Sequence, residues 1–129
     1  MTRDVKLLAC LGAAICLLGV LIGAFGAHAL SDLLSANQRE DVFDLANRYQ
    51  FYHGLAMLAL AGVFSRQSQQ FSLKWLTVLF TTGTLVFSGS LYLLALTDIS
   101  WLGALTPIGG VLLLAAWLLS VIKLRSIDR

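Results

Sequence analysis

Charge is what this chain lacks most. Of its 129 residues only 12% are charged and 58% are hydrophobic, where a soluble domain carries about 25% charge and roughly 45–50% apolar residues. The mean hydropathy is +0.83. Such a balance excludes a nucleotide-binding domain, a soluble two-layer enzyme and a nucleic-acid binder. Cysteine is nearly as scarce. Cys10 and Cys16 both lie in the first apolar run, about 9 Å apart along a helix and on different faces. A disulfide needs Cα atoms roughly 4.4–6.8 Å apart, so the two read as packing residues. No C-x-x-C pair exists, which argues against a redox motif and a thiolate zinc site.

What the chain has instead is four stretches free of charge, 7–31, 49–65, 75–97 and 99–122, of 25, 17, 23 and 24 residues. A helix needs about 20 residues to cross a bilayer, with a range of roughly 17–25. The expected fold is all-α: a polytopic membrane protein, a four-transmembrane-helix bundle forming one domain over 1–129. Its spans are expected at about 7–28, 48–65, 74–96 and 101–122. Arg3 and Lys6 before an apolar run, with Ala27-His28-Ala29 in small-x-small form, outline a signal peptide. Leu7-Leu8-Ala9-Cys10 outlines a lipoprotein box. The run far exceeds the usual signal core of roughly 7–15 residues, and nothing apolar precedes the box. A spanning helix is therefore the expectation.

Positive residues mark the cytoplasmic side. Arg3, Lys6, Arg66, Lys74, Lys123, Arg125 and Arg129 fall on one side of the expected bundle, and Arg39 and Arg48 on the other. Both termini are thus expected in the cytoplasm, and the net charge of +2 is what remains of this asymmetry. In the outer loop, Val42, Leu45, Ala46 and Tyr49 recur at spacings of three and four, the pattern of an amphipathic helix. Asn37 and Glu40 stand in capping-box positions at its start. The short second run favours a helix that extends the second span beyond the bilayer. Trp75 falls at the inner boundary, Trp117 nearer the inner end, and Trp101, Tyr49 and Tyr52 at the outer boundary, where amphipathic rings meet headgroups.

Small residues govern packing in membranes, because lipid gives no hydrophobic drive between helices. Ala9, Gly12, Cys16, Gly19, Gly23 and Gly26 form an unbroken seam on the first helix. It is expected to dock a neighbour in the same chain or in a second copy. Gly89, Pro107 and Gly110 are further packing positions. Pro107 frees the carbonyl of residue 103 and is expected to kink the last helix.

Depth along the helices gathers the remaining polar side chains into one layer. At 1.5 Å per residue, Ser88, Ser90 and Tyr92 lie about 6–13 Å, and Thr106 and Pro107 about 6–9 Å, below the outer ends of their helices. His28, Tyr49, Gln50 and His53 share that outer third. Polar groups at one depth in a bundle are a candidate site by default. Each also has a plain structural role, such as bonding to a carbonyl of its own helix. Two histidines fall short of the three or four ligands of a zinc site, and no metal or cofactor is expected. His53 near Ser88 or Ser90 lacks an intramembrane carboxylate to orient it as a triad would, so no catalytic residue is assigned. Proton-coupled transport usually shows a buried Asp, Glu or Lys, and no ring of charges suggests a channel.

Four runs carry a resemblance: Gly23-Ala24-Phe25-Gly26-Ala27-His28, Tyr49-Gln50-Phe51-Tyr52-His53, Phe87-Ser88-Gly89-Ser90-Leu91-Tyr92 and Thr106-Pro107-Ile108-Gly109-Gly110. With them the chain resembles the DUF423 family, small four-helix membrane proteins with bacterial inner-membrane members and a eukaryotic transmembrane relative. The likeness spreads over all four helices. It implies a multi-pass protein of the bacterial inner membrane and brings no established activity. The expected role is non-enzymatic: an accessory or scaffold protein, or a binder of a small amphipathic molecule. A small transporter or channel using the layer around His28, Gln50, His53, Ser90 and Thr106 is the alternative, and an intramembrane enzyme a more distant one. Membrane lipids are the expected partners, with a membrane protein or a second copy as further candidates.

Overall fold

The computed structural model describes residues 1–66 and 72–127, which are helix and turn apart from short irregular stretches at 1–2, 39, 72–73 and 98–99. Arg129, counted above among the basic residues, lies outside them. Among the described residues five α-helices follow one another: α1 (Arg3–Ala27), α2 (Ser31–Asn37), α3 (Glu40–Phe64), α4 (Lys74–Thr97) and α5 (Thr106–Arg125), with a 3₁₀ turn over Ser100–Ala104 before the last. The stretches Arg3–Ala27, Lys74–Thr97 and Ser100–Arg125 are long and apolar enough to cross a membrane. α3 has 25 residues and is as long as α1. Its first part carries Glu40, Asp41, Asp44 and Arg48, so only the stretch from Tyr49 is uncharged.

The connection between the first two long helices differs from the expectation in one respect. The amphipathic segment from Val42 to Tyr49 is continuous with α3, as the short second run favoured. The capping box does not form. Asn37 ends α2 instead, Arg39 is the N-cap of α3, and no side chain caps it. The reason is tertiary. Asn37 Nδ2 donates to the carbonyls of Ala95 and Leu96, 3.0 and 3.2 Å away, in the last turn of α4, where carbonyls lack intrahelical partners. The chain turns at Gln38 in the left-handed region, φ 55°. Glu40 Oε1 accepts from Ser35 Oγ across this turn at 2.6 Å.

Pro107 also takes a different place. It does not kink a helix but stands at the first turn of α5, where a missing N–H costs nothing and a fixed φ suits the helix. The expected last span thus divides into the 3₁₀ turn and α5.

α1, α3 and α4 form a triangle. α1 lies along α3, α4 packs on α3 and more lightly on α1, and α5 packs on α4. Among the described residues the backbones of α3 and α5 do not meet, nor do those of α1 and α5. At the end that carries both chain termini, Asp4 Oδ2 accepts from Ser72 Oγ and from the backbone N–H of Leu73, at 2.9 and 3.0 Å. This caps the start of α4 from α1, a contact between residues 68 and 69 positions apart that no local pattern announces. The half of the molecule toward that end is filled by Val5, Leu8, Met57, Phe64, Leu76 and Phe80, all fully buried. The opposite half, toward α2 and the 3₁₀ turn, holds the small clusters around Ala46, Leu91 and Leu94 and around Leu34, Phe43 and Ala95. The outward surface is apolar along its length: Leu17, Val20, Leu85, Val111, Leu114 and Leu118 are all exposed.

The glycine seam of α1 meets α3 of the same chain. A Cβ on Gly12 would stand 2.8 Å from the carbonyl oxygen of Gly54 and 2.9 Å from Met57 Cβ. On Gly19 it would meet the Phe51 ring at 2.8 Å, and on Gly23 the Asn47 amide at 3.1 Å. Gly26 faces the ring of Phe43. Small residues on both helices let the backbones close, which is how helices associate in lipid. Cys16 packs against Gly54 within this seam, while Cys10 is exposed; both are free thiols.

Candidate functional site

The candidate layer divides into three parts, because helices at one depth still present different faces. The first part ties the triangle together. Gln50, buried on α3, donates from Nε2 to the carbonyl of Ile15 on α1 at 2.9 Å. Tyr92 on α4 donates its hydroxyl to Gln50 Oε1 at 2.7 Å. Asn47 Nδ2 donates to the carbonyl of Gly19 at 2.8 Å and to Tyr92 Oη at 3.0 Å. Ser88 Oγ donates to the carbonyl of Ala46 at 2.8 Å, crossing from α4 to α3 rather than bonding back along its own helix. Asn47 is the member that sequence reasoning missed. The available signal was its place three residues before Gln50 and seven before Gly54, on one helical face.

The second part joins α4 to the last helix. Ser90 Oγ lies 3.0 Å from the carbonyl of Phe87, its own-helix acceptor, and 2.8 Å from Thr106 Oγ1. A hydroxyl has one proton, so with Ser90 donating to Phe87, Thr106 donates to Ser90. Gly109 fits flush here: a Cβ would run into the backbone of Phe87. Gly110 and Gly89 are roomier. A Cβ on Gly110 would be 3.9 Å from Phe87, and one on Gly89 would meet nothing within 4 Å.

The third part is a cleft between α3 and α5, floored by α4. His53 lies in it, 5% exposed. Its Nδ1 is 2.6 Å from the carbonyl oxygen of Tyr49. A carbonyl only accepts, so Nδ1 carries the proton, and in the neutral ring Nε2 is left as an acceptor. Tyr49 stacks on Phe87 with ring centroids 4.7 Å apart and planes at 25°. Trp117 stands across from His53, centroids 6.2 Å apart, and meets Phe80 edge-on at 5.3 Å. The rings of Tyr49, His53, Phe87 and Trp117, with Pro107, Gly110, Val111, Leu113 and Leu114, line an open cavity of about 360 Å³.

His28 joins none of the three. It is exposed at the end of α1 and borders a shallow recess of about 230 Å³ with Ala24, Phe25 and Ala29. Its carbonyl accepts from Ser31 Oγ at 2.9 Å. Among the described residues no group of three or more His, Cys, Asp and Glu could hold a metal ion. Neither histidine forms an ion pair with a carboxylate among those residues; Arg39 pairs with Asp98 at 2.9 Å. The arrangement can fasten helices and accept a hydrogen bond in an apolar cleft. Among the described residues no hydroxyl or thiol is hydrogen-bonded to a histidine ring.

A family model described as "Protein of unknown function (DUF423)" matches residues 22–110, which include every member of the three parts except Ile15, Gly19, Val111, Leu113, Leu114 and Trp117. The UPF0382 membrane protein of Staphylococcus saprophyticus is 46% identical over 117 residues, 91% of this chain and 95% of its own. That of Staphylococcus haemolyticus is 45% identical, covering 92% and 94%. The UPF0382 membrane protein YwdK of Bacillus subtilis is 38% identical, covering 91% and 94%. No solved structure matches the chain. Matches of this identity over nearly the full length of both partners go with the apolar helices to one conclusion: the chain belongs to the DUF423 family of bacterial membrane proteins, whose function is unknown.

Proposed function

We propose that this is a four-span protein of the bacterial inner membrane, a single domain with both termini in the cytoplasm. In this reading it acts without catalysis, as a small scaffold or accessory protein that takes up an amphipathic molecule from the bilayer. The observation that carries the reading is the fate of its polar layer. The side chains of Asn47, Gln50, Ser88 and Tyr92 are engaged in fastening three helices to one another, which leaves little free for chemistry. The space beyond them toward the termini is filled by Met57, Phe64, Leu76 and Phe80, each fully buried, which speaks against a conducting path through one copy. α3 supports the fourth span. At 1.5 Å per residue it is about 37 Å long, it runs beside α1 along the glycine seam, and its uncharged part begins where the aromatic pair Tyr49 and Tyr52 would meet headgroups.

Two measurements test this. With Cys10 and Cys16 replaced by alanine, single cysteines at Ala36 and Ser65 flank α3. A membrane-impermeant maleimide applied to spheroplasts is expected to label Ala36→Cys at once and Ser65→Cys only after lysis. Equal labelling of both would remove the fourth span. In proteoliposomes, the protein is expected to leave proton and potassium gradients intact; a leak above protein-free vesicles would favour the transporter or channel.

A further inference from the structure

We propose that the cleft between α3 and α5 is the binding site, and that its ligand is a flat lipophilic molecule that gives one hydrogen bond to His53 Nε2. The proposal rests on the non-catalytic binding role above and names its site and ligand chemistry.

Three observations converge on it. The cavity, about 360 Å³, is of small-molecule size. Its mouth is edged by Val111 and Leu114, 64% and 70% exposed, on a surface that is apolar throughout, so the entrance faces lipid. Inside, His53 is nineteen-twentieths buried, with its Nδ1 proton committed to the Tyr49 carbonyl. No protein group among the described residues donates to its Nε2, and the ring lines the cavity. An acceptor held in an apolar site without a donor costs free energy, and a ligand O–H or N–H removes that cost.

The walls define the rest of the ligand. Tyr49 stacked on Phe87 and the indole of Trp117 offer ring faces and edges, which favour a planar or conjugated body. A Cβ on Gly110 would meet only the Phe87 ring, at 3.9 Å, so α5 offers a surface without side chains there against which a flat molecule can lie. Two features separate this occupant from a bulk acyl chain: the planarity and the single donor. An acyl chain would fill the cleft and leave Nε2 as it is.

The test uses two probes of one shape, 2-naphthol, which has the donor, and 2-methoxynaphthalene, which lacks it. The protein is the full chain in lipid nanodiscs, with ¹⁵N-histidine and His28→Asn, so that His53 gives the one histidine signal. 2-Naphthol is expected to shift the Nε2 resonance, and 2-methoxynaphthalene to leave it in place. Affinity for 2-naphthol in the wild type should exceed that in His53→Phe by roughly tenfold, while the ether binds both alike. Val111→Trp, a change at an exposed position, should close the cleft to both probes. Equal binding of 2-naphthol by wild type and His53→Phe overturns the proposal, as does an unmoved Nε2 signal at saturation or no binding at all. Should His53→Phe not fold, the Nε2 shift with one probe and not the other decides. Recovered probe is analysed by mass. Chemical conversion would overturn the non-catalytic role and leave the site standing. Absence of binding would remove the site and leave that role untouched.

Discussion

α3 has two working faces, and they are built on opposite plans. Toward α1 it presents Asn47, Gln50, Gly54 and Met57. There the backbones close until the Gly12 and Gly54 main chains touch, and the polar side chains of Asn47 and Gln50 find partners on α1 and α4. Toward α5 it presents Tyr49 and His53. There rings stand between the helices, the backbones do not meet, and one ring nitrogen has no donor. Lipid is as apolar as leucine, so a face gains stability in a membrane only by close approach or by hydrogen bonds. The α1 face uses both, and the α5 face forgoes both and lines an open cavity. One face holds the fold and the other leaves room.

The glycines give that contrast its largest expected effect. Gly12→Ala puts a Cβ against a backbone carbonyl and Met57 Cβ, neither of which can swing aside, and should cost about 1–3 kcal/mol. Gly110→Ala meets only ordinary contact distances. It should be neutral, or stabilising by up to about 1 kcal/mol through helix propensity. Unfolding of both variants in mixed micelles by added SDS would compare them. Equal loss at the two positions would mean that the α5 side is as tightly fitted as the seam.

The polar side chains sharpen the comparison at smaller scale. Gln50→Leu removes the bonds to the Ile15 carbonyl and to Tyr92. Interhelical bonds in membranes are worth about 0.6 kcal/mol on average and at most roughly 1.7, so a loss of about 1–2 kcal/mol is expected. His53→Phe removes one bond within a single helix and should cost less than Gln50→Leu in the same SDS titration. The reverse order would make His53 a structural element and weaken its assignment to a ligand.

Much of this was legible in the chain. Uncharged runs placed the four long helices to within a few residues, apart from the early start of α3 and the late start of α5. The seam at spacings of three and four marked the face of α1 that docks. Depth arithmetic grouped Gln50 with Tyr92 and Ser90 with Thr106, pairs that the structure bonds, since rise per residue is a property of any helix; it also grouped His28, which stands apart. It could not divide the layer, because depth carries no azimuth. Gln50 and His53 are three residues apart, about 60° around the helix, and that rotation sends one to α1 and the other to the α5 cleft. Asn37 shows the other kind of limit. Its local pattern is that of a cap, and carbonyls at the end of α4, 58 and 59 residues away in sequence, claimed its amide. Pro107 fits both a kink and a helix start, and only the 3₁₀ turn before it decides between them.

The smallest expected effect lies at the turn between α2 and α3, outside the membrane-spanning segments. The Ser35 hydroxyl, and after it the backbone N–H of Glu40, hold the Glu40 carboxyl below its ordinary value of 4.5. A carboxyl lowered by folding adds stability that is fully present above the unfolded value and is lost as pH falls through the folded one. The wild type should therefore exceed Glu40→Gln in stability at neutral pH, and that difference should shrink as pH falls below 4.5 and vanish beneath the carboxyl's own lower value. Glu40 is fully exposed, so the difference is expected to be the smallest of the series. Every other carboxylate is common to both proteins, so subtracting one SDS titration from the other isolates this group. A difference that grew on acidification would mean that the folded chain favours the protonated carboxyl, and that the Ser35 bond is not what orders the turn.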